Sequence, residues 1–211
     1  MNFDEGLELV RAALKGPLPG EEAQRIMAPV SRKTMSELLT GIPSIRESSV
    51  LILLYPDHKG QIHSLLIERP VTDHVHSGQL AFPGGKTEES DPTPAHTALR
   101  EAEEEVGVAA NSVEVIGKLT DLIIPASRFL VRPHVGVVAS TPKFIPNPEE
   151  VKALLPVSLT DLLTLPHSEK SFATSYGHLK APCYHLEGRD LWGATAMMVS
   201  EFRVMMENVG K

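Results

Sequence analysis

The sequence predicts an α/β (α+β) fold, a mixed sheet of short strands interleaved with a few helices. Three observations carry that expectation. Ser49 to Tyr55 is a continuous apolar run with the length of a buried strand. Ile62 to Glu68, reached through the turn residues Pro56-Asp57-His58-Lys59-Gly60, reads as its hairpin partner. Thr93 to Gly107 reads as a helix with Thr93 as N-cap, Pro94 at the first helical position and Gly107 as its stop.

The other elements follow in chain order. Leu7, Leu9, Val10, Ala13 and Leu14 give residues 3–15 an amphipathic helical pattern, which Pro17, Pro19 and Gly20 end. Residues 21–28 suit another helical turn, followed by a loop that includes Thr40-Gly41-Ile42-Pro43. Residues 1–45 cannot bury a core alone, so they are expected to form a helical preface packed on a main domain of residues 46–211. Leu80 to Phe82 is a short strand entering a Pro83-Gly84-Gly85 turn. Beyond the central helix, Val113–Leu119, Phe129–Ala139 and Val151–Leu155 read as strands, with a loop from Pro146 to Glu149. Leu159–Leu163 suggests a short helix, Tyr184–Leu186 a strand, and Trp192-Gly193-Ala194-Thr195 opens a last helix running to about Met206.

With 211 residues, 42% of them hydrophobic and 22% charged, the chain suits one globular domain with a sizeable core. The formal net charge of −7 argues against a nucleic-acid polymer as partner, and 5% aromatics do not suggest a base-stacking platform. The lone Cys183 excludes an intramolecular disulfide and a cysteine-rich zinc site; it suits a reducing compartment and reads as a small packed side chain. The acidic, amphipathic first residues are unlike a secretory signal, and no run of about 18 apolar residues predicts a membrane span. A cytoplasmic location is expected. His58, His63, His74, His76 and His96 precede or open the central helix without the spacing of a zinc site; His74 and His76 are candidates to line a cleft.

On the central helix, at about 100° per residue, Ala95, Ala98, Leu99, Ala102 and Val106 share a face able to pack on a core. Glu101, Glu104 and Glu105 stand at i, i+3 and i+4 on another face, and Glu103 points away from them. Three like charges so close repel. They belong either on a solvated surface or where a hard divalent cation neutralises them.

Arg100-Glu101-Ala102-Glu103-Glu104-Glu105-Val106-Gly107-Val108 resembles the second half of the Nudix box, R-E-U-x-E-E-x-G-U with U apolar, at all nine positions. The first half, G-x5-E-x7-R-E, departs. Counting back from Arg100 puts Lys86 at its glycine and Pro92 at its glutamate, whereas a loop longer by one residue restores Gly85 and offers Asp91. The resemblance implies a Nudix-type α/β/α sandwich with a mixed central sheet, and hydrolysis of a nucleoside diphosphate linked to another group with Mg²⁺ or Mn²⁺. It also implies Glu101, Glu104 and Glu105 as metal ligands, Arg100 as the residue that orients them, and the carbonyl of Gly84 or Gly85 as a further ligand. Gly84 and Gly85 would let the backbone approach metal and phosphate. A further carboxylate is expected from Glu149 or Glu150, with Glu150 preferred; the general base is open among Glu150, Glu101 and Glu88.

Upstream, Leu65-Leu66-Ile67-Glu68-Arg69-Pro70 and His76-Ser77-Gly78-Gln79-Leu80-Ala81-Phe82-Pro83-Gly84-Gly85 resemble the segment that marks the coenzyme A pyrophosphatase subgroup, approximately L-L-T-x-R-S/A-x3-R-x3-G-x3-F-P-G-G. Arg69, Gly78 and Phe82 to Gly85 match; Ile67, Pro70 and His74 depart from it. The resemblance implies cleavage of coenzyme A to 4′-phosphopantetheine and 3′,5′-ADP, with Arg69, Lys86, Arg128 and Arg132 as candidate phosphate-binding cations. Hydrolysis of ADP-ribose or another nucleotide is the enzymatic alternative. A Nudix module that binds a nucleotide without cleaving it is the other. A small nucleotide is the expected partner, and a homodimer is left open.

Overall fold

The computed structural model describes residues 1–71, 78–174 and 177–209; His74 and His76 therefore lie outside the described residues. The chain begins with helices α1 (Phe3–Lys15), α2 (Gly20–Arg25) and α3 (Met35–Gly41). Strands β1 (Arg46–Pro56), β2 (Ile62–Glu68), β3 (Leu80–Ala81) and β4 (Gly84–Lys86) lead into helix α4 (Pro94–Val106). Strands β5 (Glu114–Lys118), β6 (Leu122–Ile124), β7 (Phe129–Val137) and β8 (Ala153–Ser158) precede the short α5 (Leu159–Thr164). Then come β9 (His167–Thr174), β10 (Gly177–Leu186), β11 (Arg189–Trp192) and the last helix, α6 (Gly193–Glu207).

The main sheet is mixed because β1 runs parallel to β7 and antiparallel to β2 and β4. Strands β3 and β8 pair with β2, while β5 and β6 pair with β7. Ser49 on β1 is opposite Gly85 of β4 on one side and Arg132 of β7 on the other. Side chains alternate across a strand, so β1 feeds two cores. Leu51, Leu53 and Tyr55 pack with Ala98, Ala102 and Val106 of α4. Ile52 and Leu54 pack with Val10 of α1 and with Met198, Val199 and Phe202 of α6. The outcome is an α/β/α sandwich with a mixed central sheet, as predicted.

Several local expectations are corrected. Residues 35–41 are helix, not loop. Thr34 accepts from the Glu37 N–H and the Glu37 carboxylate accepts from the Thr34 N–H, a capping box that starts α3. The Gly84-Gly85 pair begins strand β4 instead of forming only a turn. The strand expected at Val151–Leu155 is shifted to Ala153–Ser158, and β6 was not anticipated. Nor was most of the second sheet, in which β10 lies between β9 and β11. The first helices are tied to the last: Ser200 Oγ donates to the Ala23 carbonyl at 2.7 Å, and Gln24 Nε2 donates to Glu201 at 2.8 Å.

Candidate active site

Helix α4 has the ends its sequence requires. Thr93 Oγ accepts from the His96 N–H, and Gly107 stops the helix at φ 73°, a left-handed conformation that suits glycine. Ala98, Ala102 and Val106 are buried on the sheet, while Ala95 and Leu99 of the expected stripe are only half-buried. Glu101 and Glu105 are about 40° apart around the axis, so they turn the same way once the apolar face is seated. Both face strand β4. A Cβ on Gly85 would overlap the Glu101 carboxylate, so only glycine fits against that helix at this rung. The Gly84 N–H donates to Glu105 Oε2 at 2.8 Å.

Glu105 is 1% exposed, and Arg69 NH2 is 3.4 Å from its Oε1. Burial pushes its carboxyl up to about 7, against the opposing pull of Arg69 and the Gly84 N–H. Burial also raises Glu101, with Arg100 opposing. The third carboxylate is remote in sequence. The segment before it docks on the C-terminal carbonyls of α4: the Ile145 N–H donates to Val106 O and the Asn147 N–H to Glu105 O, both at 2.9 Å. Asn147 then turns the chain, its Oδ1 accepting from the Glu149 N–H and its Nδ2 donating to Glu150 Oε1 at 3.1 Å. Glu101, Glu105 and Glu150 thereby offer oxygens that all lie within 4.8 Å of one another.

Glu104 stands apart from that group. It is 51% exposed and accepts from Arg100 NH1 at 2.9 Å. Arg100 in turn is held by Asp91, its Nε on Oδ1 at 3.1 Å and its NH2 on Oδ2 at 3.0 Å. Its NH2 also reaches the Lys86 carbonyl at 3.0 Å and Glu101 at 3.1 Å. Asp91 accepts further from the Glu88 N–H, His96 Nδ1 and Thr97 Oγ1, each at 3.0 Å. The Arg100 guanidinium and these donors hold the Asp91 carboxyl well below the usual carboxylate range.

The expected phosphate-binding cations have different surroundings. Arg69 donates to the Gly84 carbonyl at 2.8 Å besides facing Glu105, which leaves that carbonyl already engaged. Arg132 is paired with both oxygens of Glu47, at 2.7 and 2.9 Å, and with Asp121 at 3.4 Å. Lys86 and Arg128 are exposed and make no ion pair with any described residue. Glu103 is exposed. Sequence reasoning missed Asn147 as the residue that steadies Glu150; the Asn-Pro pair at 147–148 was the available signal. It also missed Glu47 and Asp121, whose pairing with Arg132 depends on the parallel β1–β7 register for Glu47 and on the antiparallel β6–β7 pairing for Asp121. Among the described residues, His58, His63 and His96 join no cluster of potential metal ligands.

The donor set fits a divalent cation of the magnesium class. Three carboxylates converge with Arg69 and Arg100 beside them, and burial, to which the neighbouring carboxylates add, raises the pKa of the most deeply covered one, Glu105. A helix of carboxylates set against a glycine strand on a mixed α/β/α sandwich is the arrangement of a metal-dependent phosphate-ester or anhydride hydrolase. The family model described as NUDIX domain matches residues 45–176. A relative described as an uncharacterized Nudix hydrolase, NudL, of Yersinia pestis (strain Pestoides F) is 39% identical over 140 residues, covering 64% of this chain and 69% of the relative. Among solved structures, a Nudix hydrolase from M. smegmatis, RenU, superposes with a TM-score of 0.51 at 19% identity, over 79% of this chain and 88% of that one. A MutT protein from Methanosarcina mazei Go1 gives 0.50 at 16% identity, over 81% and 100%. The chain belongs to the Nudix hydrolase family and is a pyrophosphohydrolase. Members of that family use divalent metal cations. Among the described residues no helix is long and apolar enough to cross a membrane.

Proposed function

We propose that the protein is a Mg²⁺- or Mn²⁺-dependent hydrolase of a nucleoside diphosphate linked to another group, with coenzyme A or its derivatives as substrate. The convergence of Glu101, Glu105 and Glu150 carries the chemistry. The substrate reading rests on Arg69, Gly78 and Phe82 to Gly85, the block that resembles the coenzyme A pyrophosphatase segment. Residues 46–211 are proposed as the hydrolase domain and residues 1–45 as its packed preface; the family match beginning at residue 45 supports that division. The lone Cys183 suits a reducing cytoplasm.

A bound divalent cation would neutralise the pyrophosphate and lower the pKa of its water. The chain's own groups do the rest. Glu101 and Glu105 present oxygens from one helix face, and Glu150 supplies the third from the opposite loop. Asp91 fixes the plane of Arg100, and Arg100 fixes Glu101. Glu104, on the same guanidinium, lies at the rim of the cluster as a further ligand or proton acceptor. Gly85, having no side chain, lets the Glu101 carboxylate lie directly against the β4 backbone. Lys86 and Arg128 are the cations proposed for the extra 3′-phosphate of coenzyme A. Arg132 would first have to release Glu47.

Product analysis with coenzyme A, ADP-ribose, NADH and dinucleoside polyphosphates in Mg²⁺ or Mn²⁺ tests this reading. The expected result is 3′,5′-ADP and 4′-phosphopantetheine formed with the highest kcat/KM. Preference for ADP-ribose or a dinucleotide would overturn the substrate assignment and leave the hydrolase intact.

A further inference from the structure

The second sheet carries a polar constellation that the hydrolase chemistry does not use. In β10, Cys183 and His185 are two residues apart and so share a face of the strand. On the neighbouring strands, Ser168 of β9 is opposite Cys183, and Asp190 of β11 is opposite His185. A tight turn through Glu187 and Gly188, both at positive φ, joins β10 to β11 and fixes the pairing of His185 with Asp190. His185 Nδ1 is 2.9 Å from Asp190 Oδ1, and its Nε2 is 2.8 Å from Ser168 Oγ. Cys183 is fully buried, its Sγ 3.9 Å from that same Ser168 Oγ. One donor atom each from Cys183, His185 and Asp190 lie within 4.8 Å of one another.

We propose that Cys183, His185 and Asp190 form a second metal site, taking a borderline-soft divalent cation of the zinc class. One thiolate, one imidazole and one carboxylate make a mixed sulfur, nitrogen and oxygen set, which suits zinc and does not suit magnesium. Nitrogen and oxygen donors 2.9 Å apart can both reach an ion at about 2.0–2.1 Å, and the Cys183 Sγ, within 4.8 Å of both, would close on it to about 2.3 Å. His185 and Asp190 are 34% and 30% exposed, so the ion enters from their side, and water completes the coordination. Binding releases the thiol proton to solvent. The imidazole proton leaves Nδ1, Nε2 takes one up, and the new Nε2–H donates to Ser168 Oγ, which then orients the ring from the far side. Lys170 Nζ, now 2.8 and 2.9 Å from the two Asp190 oxygens, competes with the ion for that carboxylate. The same groups also fall in Ser–His–carboxylate order. Ser168 stands on the exposed edge strand β9, however, without the enclosed, water-poor setting that makes such a relay catalytic.

The test is a Co²⁺ titration of the metal-free full chain with excess Mg²⁺ present. Cys183 is the only sulfhydryl, so thiolate-to-cobalt charge transfer reports this site alone. A near-ultraviolet charge-transfer band is expected, saturating at one equivalent and bleached by Zn²⁺. It should be lost in Cys183→Ser and strongly weakened in His185→Gln and Asp190→Asn, both partly exposed positions that leave the buried thiol in place. Lys170→Met should tighten Zn²⁺ binding by about threefold to fivefold, since it removes a surface competitor. No charge-transfer band in the wild type would overturn the proposal. A band of unchanged strength in His185→Gln, or labelling of Ser168 by a fluorophosphonate, would also overturn it.

Discussion

The two ends of α4 treat a covered carboxylate in opposite ways. Asp91, packed against the first turns of the helix, has a side chain with 0% exposure and accepts from Glu88, His96, Thr97 and twice from Arg100. Its charge is fully matched, and its pKa falls. Glu105, in the last turn, is 1% exposed but has one backbone N–H, an arginine at 3.4 Å and two neighbouring carboxylates. Burial is offset by too few partners, and its pKa rises to about 7. Two carboxylates buried to the same degree therefore do different jobs. Asp91 holds the scaffold, and Glu105 is the carboxylate proposed to take a cation that the scaffold does not supply.

Substitutions that neutralise one end or the other sharpen this contrast. The largest effect is expected for Glu105→Gln, with kcat for pyrophosphate hydrolysis falling by roughly 10³-fold under saturating Mg²⁺, read by steady-state kinetics. Asp91→Asn should act first on stability. Losing a matched, fully covered partner of Arg100 is expected to destabilise by about 3 kcal/mol in denaturant unfolding and to lower kcat by roughly tenfold through misplacement of Glu101. Its pH signature is also distinct. Because the folded pKa of Asp91 is depressed, its stabilisation is present above the unfolded value near pH 4 and is lost as pH falls below it. Glu150→Gln, on an exposed loop, should lower kcat by about 10–100-fold with little change in melting temperature. Arg132→Ala should change KM by less than about threefold, since Glu47 and Asp121 already claim its charge.

The contrast was only half legible in the sequence. The limits of α4 were written in Thr93, Pro94 and Gly107, and the i, i+4 spacing set Glu101 and Glu105 on one face. Glu104 looked equivalent by spacing, but only a structure shows Arg100 drawing it to the rim. The role of Asp91 was obscured by the longer loop before the helix, which moves it one residue out of the usual register. Glu150 was expected from the family resemblance, but the docking of its loop on carbonyls of α4, a contact across many residues, is what local pattern cannot reveal. Apart from Tyr184–Leu186, the strands of the second sheet were missed for a related reason. His167 to Thr174 of β9 is polar and mostly exposed, and Tyr184, Leu186 and Leu191 on β10 and β11 join the main core. Helix α3 was available from its capping box and was overlooked beside the loop-like Thr40-Gly41-Ile42-Pro43.

The most direct test of Glu105 as a group held for a cation is the melting temperature of metal-free protein from pH 5 to pH 8, wild type against Glu105→Gln. A carboxyl whose folded pKa is raised makes the fold less stable as pH climbs from its unfolded value, near 4.5, through about 7. The variant removes that loss. It is therefore expected to melt roughly 4–8 °C above the wild type at pH 8, to match it at pH 5, and to gain much less from added Mg²⁺. A variant that melts below the wild type at pH 8, or that gains as much from Mg²⁺, would contradict the account.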